Sequence, residues 1–242
     1  MPKTSSAAGR AVHTFFFSML YYFVLRAVDK RIAMVILRHG VFISFFISII
    51  LLMVQVLLTF SFGRRRPHSE PEGNRWKGVA YAFGRGMLPW EKESAARHLP
   101  TYIAGMLYHG GIFAAILTVL SVAAAIPVSE LILLFLRVLM AVGFLAGMGL
   151  LLKRAVKPQM RHISCPDDFA ANVLVDLFVL TGLFASRLNG AVPIFLIIAI
   201  VVFLYMPLGK IRHCFFFFYS RFLFGTYFGR RGVLPRRRPA KA

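Results

Sequence analysis

The sequence predicts an all-α integral membrane protein, a bundle of five transmembrane helices preceded by an N-terminal amphipathic helix. Hydrophobic residues make up 58% of the 242 residues, and the mean hydropathy is +0.70. Several apolar runs reach the roughly 20 residues that a helix needs to cross a bilayer. Most basic residues lie between these runs and in the tails, as they do at the cytoplasmic face of membrane proteins.

Residues 1–38 form a basic N-terminal segment. The apolar run that ends at Arg26 is too short for a crossing, which predicts an interfacial helix over residues 11–31. The first crossing is predicted over residues 40–62. We expect no cleavable signal peptide, because no small-residue cleavage site follows the N-terminal residues.

A transmembrane bundle is predicted over residues 39–222, with a basic cytoplasmic tail over 223–242. Pro100 fits the first turn of the second span, and Asp167 and Asp168 suit the N-terminus of the fourth. The predicted spans after the first cover residues 99–124, 129–152, 169–186 and 193–218.

Lysine and arginine positions predict the orientation of the bundle. The loops over 63–98 and 153–168 and the C-terminal tail are rich in them, so this side is expected to face the cytoplasm. Five spans then place the N-terminus outside, although it is basic. Either the N-terminal helix also crosses, which makes six spans, or it lies flat on the outer surface; we favour five.

The net charge of +20 reflects basic residues whose positions this topology explains. The sequence contains no zinc finger, RNA-binding motif or Gly-rich phosphate loop, so we expect no nucleic-acid partner.

Cys165 and Cys214 form neither CxxC nor CxxCH, which excludes a self-contained iron–sulfur cluster and covalent c-type haem. Gly143 and Gly147 form a small-xxx-small pair that predicts close helix packing.

Ionisable side chains within membrane spans are costly and mark functional sites by default. His39 and His98 lie at span ends, where an interfacial position explains them equally well. The ionisable residues inside the predicted spans are His109, Arg137, Asp176, Lys210, Arg212 and His213.

His109 is flanked by glycines, Gly105, Gly110 and Gly111. Their missing side chains leave the room that a large planar ligand needs. The alternative is a histidine hydrogen-bonded to a neighbouring helix, with the glycines serving helix packing.

A second intramembrane histidine, His213, favours the planar ligand. Two imidazoles from facing helices can fill both axial positions of a haem iron. We expect Lys210 and Arg212 to meet the haem propionates at the cytoplasmic surface.

Three segments, "LYHGGI", "CPDDFAANVLVDLFVLTGLF" and "FLYMPLGKIRH", resemble the gamma subunit of respiratory nitrate reductase. They also resemble the related membrane cytochrome b subunits of sulfate-reducer and heterodisulfide-reductase-like complexes. The resemblance covers residues 95–232. It implies a five-helix quinol-oxidising subunit with two b haems, held by four histidines of the second and fifth helices. By this resemblance His109 and His213 ligate the haem nearer the cytoplasmic partner.

The other pair of family ligands falls here on Val119 and Phe195. Both ligands of the outer haem are therefore missing together. We predict one b-type haem, with quinone or quinol as substrate, and keep His98 and His39 as alternative ligands.

Asp176 is a candidate proton acceptor, because quinol oxidation releases protons together with electrons. The alternative is a structural aspartate, paired with Arg137 or capped by Asn172 or Thr181.

The sequence thus favours an electron-transfer subunit of the cell inner membrane, which passes electrons between the quinone pool and a cytoplasmic iron–sulfur subunit. It is expected to be one component of an oxidoreductase rather than a stand-alone enzyme. The alternative is a haem-free membrane anchor or assembly subunit, and bound haem distinguishes the two. A small transporter ranks last, because no broken inverted repeat is visible.

Overall fold

The computed structural model describes residues 30–62 and 70–234, apart from the side chains of Glu93 and Ser94. Every regular element in these ranges is helical, which confirms the predicted all-α class. The predicted interfacial helix over 11–31 falls on residues that are not described, except for its last two. The α-helices are α1 (Lys30–Ser61), α2 (Arg75–Phe83), α3 (Glu93–Arg97), α4 (Leu99–Ala123), α5 (Glu130–Val156), α6 (Pro158–His162), α7 (Pro166–Ala185), α8 (Val192–Tyr205) and α9 (His213–Arg230).

Four helices, α1, α4, α5 and α7, are each long and apolar enough to cross a membrane. A fifth candidate is the bent pair Asn189–Tyr205 and Lys210–Arg230, which turns by 76° at its break. The described part of the chain is therefore a multi-pass helical membrane protein with four or five crossings.

The predicted fifth span over residues 193–218 is interrupted, because α8 ends at Tyr205. Pro207 follows at once, and proline removes a helical N–H donor and clashes with the preceding turn. Asp167 of α7 then holds the chain beyond the break by accepting hydrogen bonds from the Tyr205 hydroxyl and the Lys210 backbone N–H. His213 therefore begins a new helix instead of lying deep in a spanning one.

Helix α1 begins at Lys30, earlier than predicted, and has 32 residues. A helix of that length extends about 48 Å, which is more than the roughly 30 Å of a bilayer core. The first turns of α1, which carry Arg31 and Arg38, therefore extend past the hydrocarbon region.

Helices α4 and α5 pack against each other most extensively, on either side of the turn at 124–129. A Cβ atom on Gly143 would lie 2.6 Å from the Gly111 Cα, so the two backbones are in direct contact there. This confirms the predicted packing role of Gly143. Helix α7 packs on both α5 and α8, and α1 packs on α8, which encloses an apolar core around Phe178 and Phe195.

A second layer consists of α2 lying along α9. A Cβ atom on Gly229 would lie 2.8 Å from the Gly78 Cα, so glycines again allow backbone contact. Much of the predicted tail over 223–242 therefore belongs to a packed helix, which continues to Arg230; residues 235–242 are not described.

Candidate functional site

The structure brings His109 of α4 and His213 of α9 together. Their ring centroids lie 6.3 Å apart, with the ring planes inclined at 81°. The two residues are far apart in sequence, and the break after α8 is what turns the start of α9 toward α4. Both side chains are exposed at the surface of the described helices.

One nitrogen of each ring has a hydrogen-bond partner in the main chain. His109 Nδ1 lies 2.6 Å from the Gly105 carbonyl oxygen, and His213 Nδ1 lies 2.6 Å from the Lys210 carbonyl oxygen. A carbonyl oxygen only accepts, so Nδ1 must donate in both rings. Nε2 of each neutral imidazole therefore keeps its lone pair, the arrangement typical of metal-ligating histidines.

The separation of the two rings fits a single metal ion held between them. An imidazole nitrogen lies about 2 Å from a bound metal, so two nitrogens on opposite sides of one ion lie about 4 Å apart. Each ring centroid lies behind its nitrogen, which places the centroids about 6 Å apart. The observed 6.3 Å agrees with this value.

The number of available ligand side chains also restricts the kind of metal site. No cluster of three or more His, Cys, Asp or Glu side chains occurs in the described ranges. Two imidazoles alone cannot complete the four-coordinate site that structural zinc requires. A haem would need only two side-chain ligands, which His109 and His213 would provide, and it would supply one-electron transfer, so the residues present fit a haem.

The glycines around His109 serve two different purposes. A Cβ atom added at Gly105 or Gly110 would meet no atom within 4 Å, so the helix surface is open on both sides of the ring. Gly111, by contrast, faces Gly143 at backbone distance. Gly105 and Gly110 thus face open space, whereas Gly111 serves helix packing.

Two aspartates at the start of α7 fix the position of the His213 segment. Asp168 accepts a hydrogen bond from the Cys165 backbone N–H at 2.9 Å, which confirms its predicted place at a helix N-terminus. Its carboxylate also pairs with Lys210 Nζ at 3.0 Å and with an Arg154 guanidinium nitrogen at 3.1 Å. We refer to Asp167, Asp168 and Lys210 as the aspartate clamp.

Lys210 takes part in the clamp through its side chain, since its ammonium group pairs with Asp168. Arg212 is exposed, and its side chain makes no hydrogen bond or ion pair with any residue that the structure describes. Sequence reasoning missed the clamp; the signal was two adjacent acids in a chain that has only 9 acidic residues against 29 basic ones.

Asp176 lies in a buried polar cluster next to the histidine pair. The residue is 3% exposed, and Asn172 Nδ2 donates to its Oδ2 at 2.8 Å. The Tyr108 hydroxyl lies 3.3 Å from the same Asn172 Nδ2, and the Tyr108 ring lies 6.4 Å from that of His109. Asp176 Oδ1 is buried and has no hydrogen-bond partner among the described residues.

The partners expected for Asp176 are therefore only partly found. Asn172 caps it, whereas the Thr181 hydroxyl donates to the main chain of its own helix. Arg137 instead bonds to Ser186 and to Glu130. Gly147 leaves the space for the cluster, since a Cβ atom there would collide with both Asp176 and Tyr108.

The alternative ligands are not brought to the pair. In the described residues, His109 makes ring contacts with Tyr108 and His213. His39 bonds to the Val35 carbonyl oxygen at 2.8 Å, within its own helix. His98 is the N-cap residue of α4, and the structure shows no ring contact between it and His109.

No protein-family model, curated protein sequence or solved structure matches this chain. The resemblance to the nitrate reductase gamma subunit therefore depends on the quoted segments alone, and the functional argument depends on the geometry of the site.

Proposed function

We propose that this chain is a membrane cytochrome b subunit of a respiratory oxidoreductase complex. In this proposal His109 and His213 hold a single b-type haem, and the subunit passes electrons between the quinone pool and a cytoplasmic iron–sulfur partner. The observation that carries the proposal is the pair of imidazoles, whose centroids are 6.3 Å apart and whose Nδ1 atoms are both bound to main-chain carbonyls.

A bis-histidine haem supplies one-electron transfer with no free position for an outside ligand. In the proposal, the residues around His109 and His213 have separate roles in holding the haem. Two carbonyl hydrogen bonds orient the imidazoles, and the open surface at Gly105 and Gly110 accommodates a flat macrocycle. Arg212 is the cation left for anionic propionates, because Lys210 is already bound by Asp168.

The proposal specifies one haem because the position of a second is filled. Val119 and Phe195, which stand where the family has its outer ligands, are both 0% exposed. The Phe195 ring stacks on that of Phe178 at 5.4 Å between centroids. These side chains belong to the tightly packed core, where proteins have few voids larger than a water molecule.

Asp176 is the proposed proton acceptor for quinol oxidation. It is a carboxyl group inside a membrane span, and such groups belong to proton relays in many membrane proteins. Its buried Oδ1 is the carboxylate oxygen that Asn172 does not hold. Asn172 holds the other oxygen in place and links it to Tyr108, the residue beside His109.

The basic side of the bundle is proposed to face the cytoplasm of the inner membrane. There it would meet an acidic surface of the iron–sulfur subunit, since charge complementarity guides such docking.

The test is a reduced-minus-oxidised optical spectrum, with haem quantified, on the full chain purified in detergent from a haem-sufficient host. We expect a low-spin b-type spectrum and one haem per chain. His109→Ala and His213→Ala should each lose that spectrum. His39→Ala is the matched control, because His39 makes the same kind of Nδ1 bond to its own helix but has no imidazole partner.

Haem retained in low-spin form by either main variant would show that the ligand assignment is wrong. Two haems per chain would contradict the filled outer position. A wild-type chain without haem would leave the membrane anchor or assembly subunit as the function.

A further inference from the structure

The α2–α9 pair has a fixed orientation relative to the membrane-crossing helices. The axis of the helical segment that includes α9 is turned by 76° from that of the segment before it. Because α8 runs with the crossing helices of the bundle, a helix turned this far from it lies close to the plane of the membrane surface.

The pair is held together as one unit by backbone contact. A Cβ atom on Gly225 would lie 2.6 Å from the Val79 Cα, and one on Gly229 would lie 2.8 Å from the Gly78 Cα. The Gly73 N–H also donates to the Arg230 carbonyl oxygen at 2.9 Å. Helices this close have little freedom to separate, so their outer faces form one continuous surface.

One face of this unit is an exposed row of aromatic rings. Trp76 pairs with Phe222 at 6.3 Å between ring centroids, and Phe83 stacks on Phe218 at 6.3 Å with the planes inclined at 14°. Trp76 is 71% exposed. We refer to these four side chains as the aromatic row.

The aromatic row lies on the side of the pair that meets the bundle. Tyr219, between Phe218 and Phe222 in sequence, bonds to the hydroxyl of Thr59 near the end of α1 at 2.8 Å between oxygens. Phe222 follows Tyr219 at a spacing of three, which places both on the same helix face. The row therefore lies at the level where a crossing helix ends.

The opposite face is covered by the loop over residues 84–92. Arg221 and Phe224 line a cavity together with Glu91 and Lys92 of that loop. Burial and the neighbouring Arg221 guanidinium lower the pKa of Lys92. This face is polar, and its loop also contacts the start of α4, where the Tyr102 hydroxyl donates to the Met87 carbonyl oxygen at 2.7 Å.

Cations surround the aromatic row. Arg75 and Lys77 flank Trp76 in sequence, and Arg230 and Arg231 end α9. The acids in the same unit are Glu70, Glu72 and Glu91, and the last of these is already bound to Arg85 at 2.7 Å. Aromatic rings beside lysine and arginine are the composition found at membrane–water interfaces.

We propose that the α2–α9 pair lies in the headgroup region of the cytoplasmic leaflet. The aromatic row is inserted between lipids, and Arg75, Lys77, Arg230 and Arg231 bind the phosphate groups of anionic phospholipids. The occupant of this surface is thus the lipid leaflet. A protein partner would approach the opposite face, on the loop over 84–92.

The two tryptophans of the chain, Trp76 and Trp90, provide the test. Trp90→Phe leaves Trp76 as the reporter for the aromatic row. Trp76→Phe leaves Trp90, which is 68% exposed in the loop over 84–92, as the matched control. The full chain is placed in nanodiscs of brominated phosphatidylglycerol or phosphatidylcholine, with bromine either near the headgroup or near the acyl-chain end.

We expect strong quenching of Trp76 by shallow bromines, stronger in phosphatidylglycerol than in phosphatidylcholine, and little quenching of Trp90. The double change Arg75→Gln and Lys77→Gln in the Trp76 reporter should remove the lipid preference and keep the shallow quenching. Both readouts are independent of haem.

Three results would overturn the proposal. Strongest quenching of Trp76 by deep bromines would mean that α9 continues into the membrane as part of a broken span. No quenching would place the aromatic row off the bilayer, free for a protein. Equal quenching in the two lipids would remove the role of anionic headgroups.

Discussion

His109, His213 and His39 each donate Nδ1–H to a main-chain carbonyl oxygen close in sequence. This bond sets the tautomer and the ring direction but does not by itself make a ligand. His39 stands alone, whereas the other two rings face each other across 6.3 Å. At the residue scale the candidate site is therefore defined by the contact between two imidazoles whose Nδ1 atoms both donate to main-chain carbonyls, and not by that hydrogen bond alone.

Asp176→Asn tests the proposed proton acceptor. The change keeps the size of the side chain and the polar cluster with Asn172, so haem content should stay at the wild-type level. Loss of a proton-transfer group should lower the rate of quinol oxidation by about 100-fold. The measurement is oxidation of a short-chain quinol by the purified chain with an artificial electron acceptor.

The matched control is Thr181→Val on the same helix, because Thr181 bonds to its own main chain and lies outside the cluster. An Asp176→Asn rate equal to that of wild type would assign Asp176 a purely structural role.

At the scale of helices, glycine contacts decide how the elements that carry the site are placed. Gly111 and Gly143 bring the backbones of α4 and α5 into contact, and α4 carries His109. The hydrophobic effect does not drive membrane helices together within lipid, so van der Waals contact at such close packing contributes much of the free energy of their association. The aspartate clamp fixes the start of α9 in a different way, through charge and hydrogen bonds.

Gly143→Ala should separate α4 from α5. The new methyl group would lie 2.6 Å from the Gly111 Cα, an atom of the backbone that cannot move aside alone. Overpacking of this kind lowers the free energy of unfolding by about 1–3 kcal/mol. Unfolding in mixed detergent micelles measures the effect, and haem loss on heating should occur at a lower temperature.

Gly149→Ala on the same helix is the control, because its new Cβ atom would meet nothing within 4 Å. This change should leave the stability unchanged or raise it by up to about 1 kcal/mol, since alanine favours helix more than glycine does. Equal effects of the two substitutions would contradict the role assigned to the Gly111–Gly143 contact.

At the scale of the whole molecule, the described loops divide unequally between the two ends of the bundle. The connections at 84–98, at 157–165 and around the break after α8 lie at the end that bears the α2–α9 pair, and they carry most of the basic residues of the described connections between helices. The turns at 124–129 and 186–191 contain Arg187 as their single basic residue. By the positive-inside rule, this distribution supports the proposal that the histidine pair, the clamp and the α2–α9 pair lie on the cytoplasmic side.

The exposed thiol of Cys165, at the start of α7, reports this orientation. In a Cys214→Ser variant, a membrane-impermeant maleimide should label Cys165 in inside-out vesicles and leave it unlabelled in right-side-out vesicles. Detergent-permeabilised vesicles serve as the control for reactivity. Labelling of sealed right-side-out vesicles would reverse the proposed orientation.

Much of the fold follows from properties that are local in sequence. The apolar runs, the proline and aspartate residues at helix starts, and the positions of the basic residues predicted α4, α5 and α7 to within a few residues of their ends. Hydropathy predicts crossings because each apolar side chain favours the bilayer independently of its neighbours in space. The apolar runs also identified His109 and His213 as candidate site residues, since an ionisable ring inside an apolar run is costly wherever the helix lies.

The tertiary structure alone decided how these elements meet. The bend after Tyr205 arises where Pro207 interrupts the helix and Asp167, from another helix, holds the chain beyond it. That bend removes α9 from the expected crossing and brings His213 to His109. Packing also buried Phe195 completely and paired Lys210 with Asp168. Contacts between residues distant in sequence depend on the positions of several helices at once, which a local pattern of polar and apolar residues does not contain.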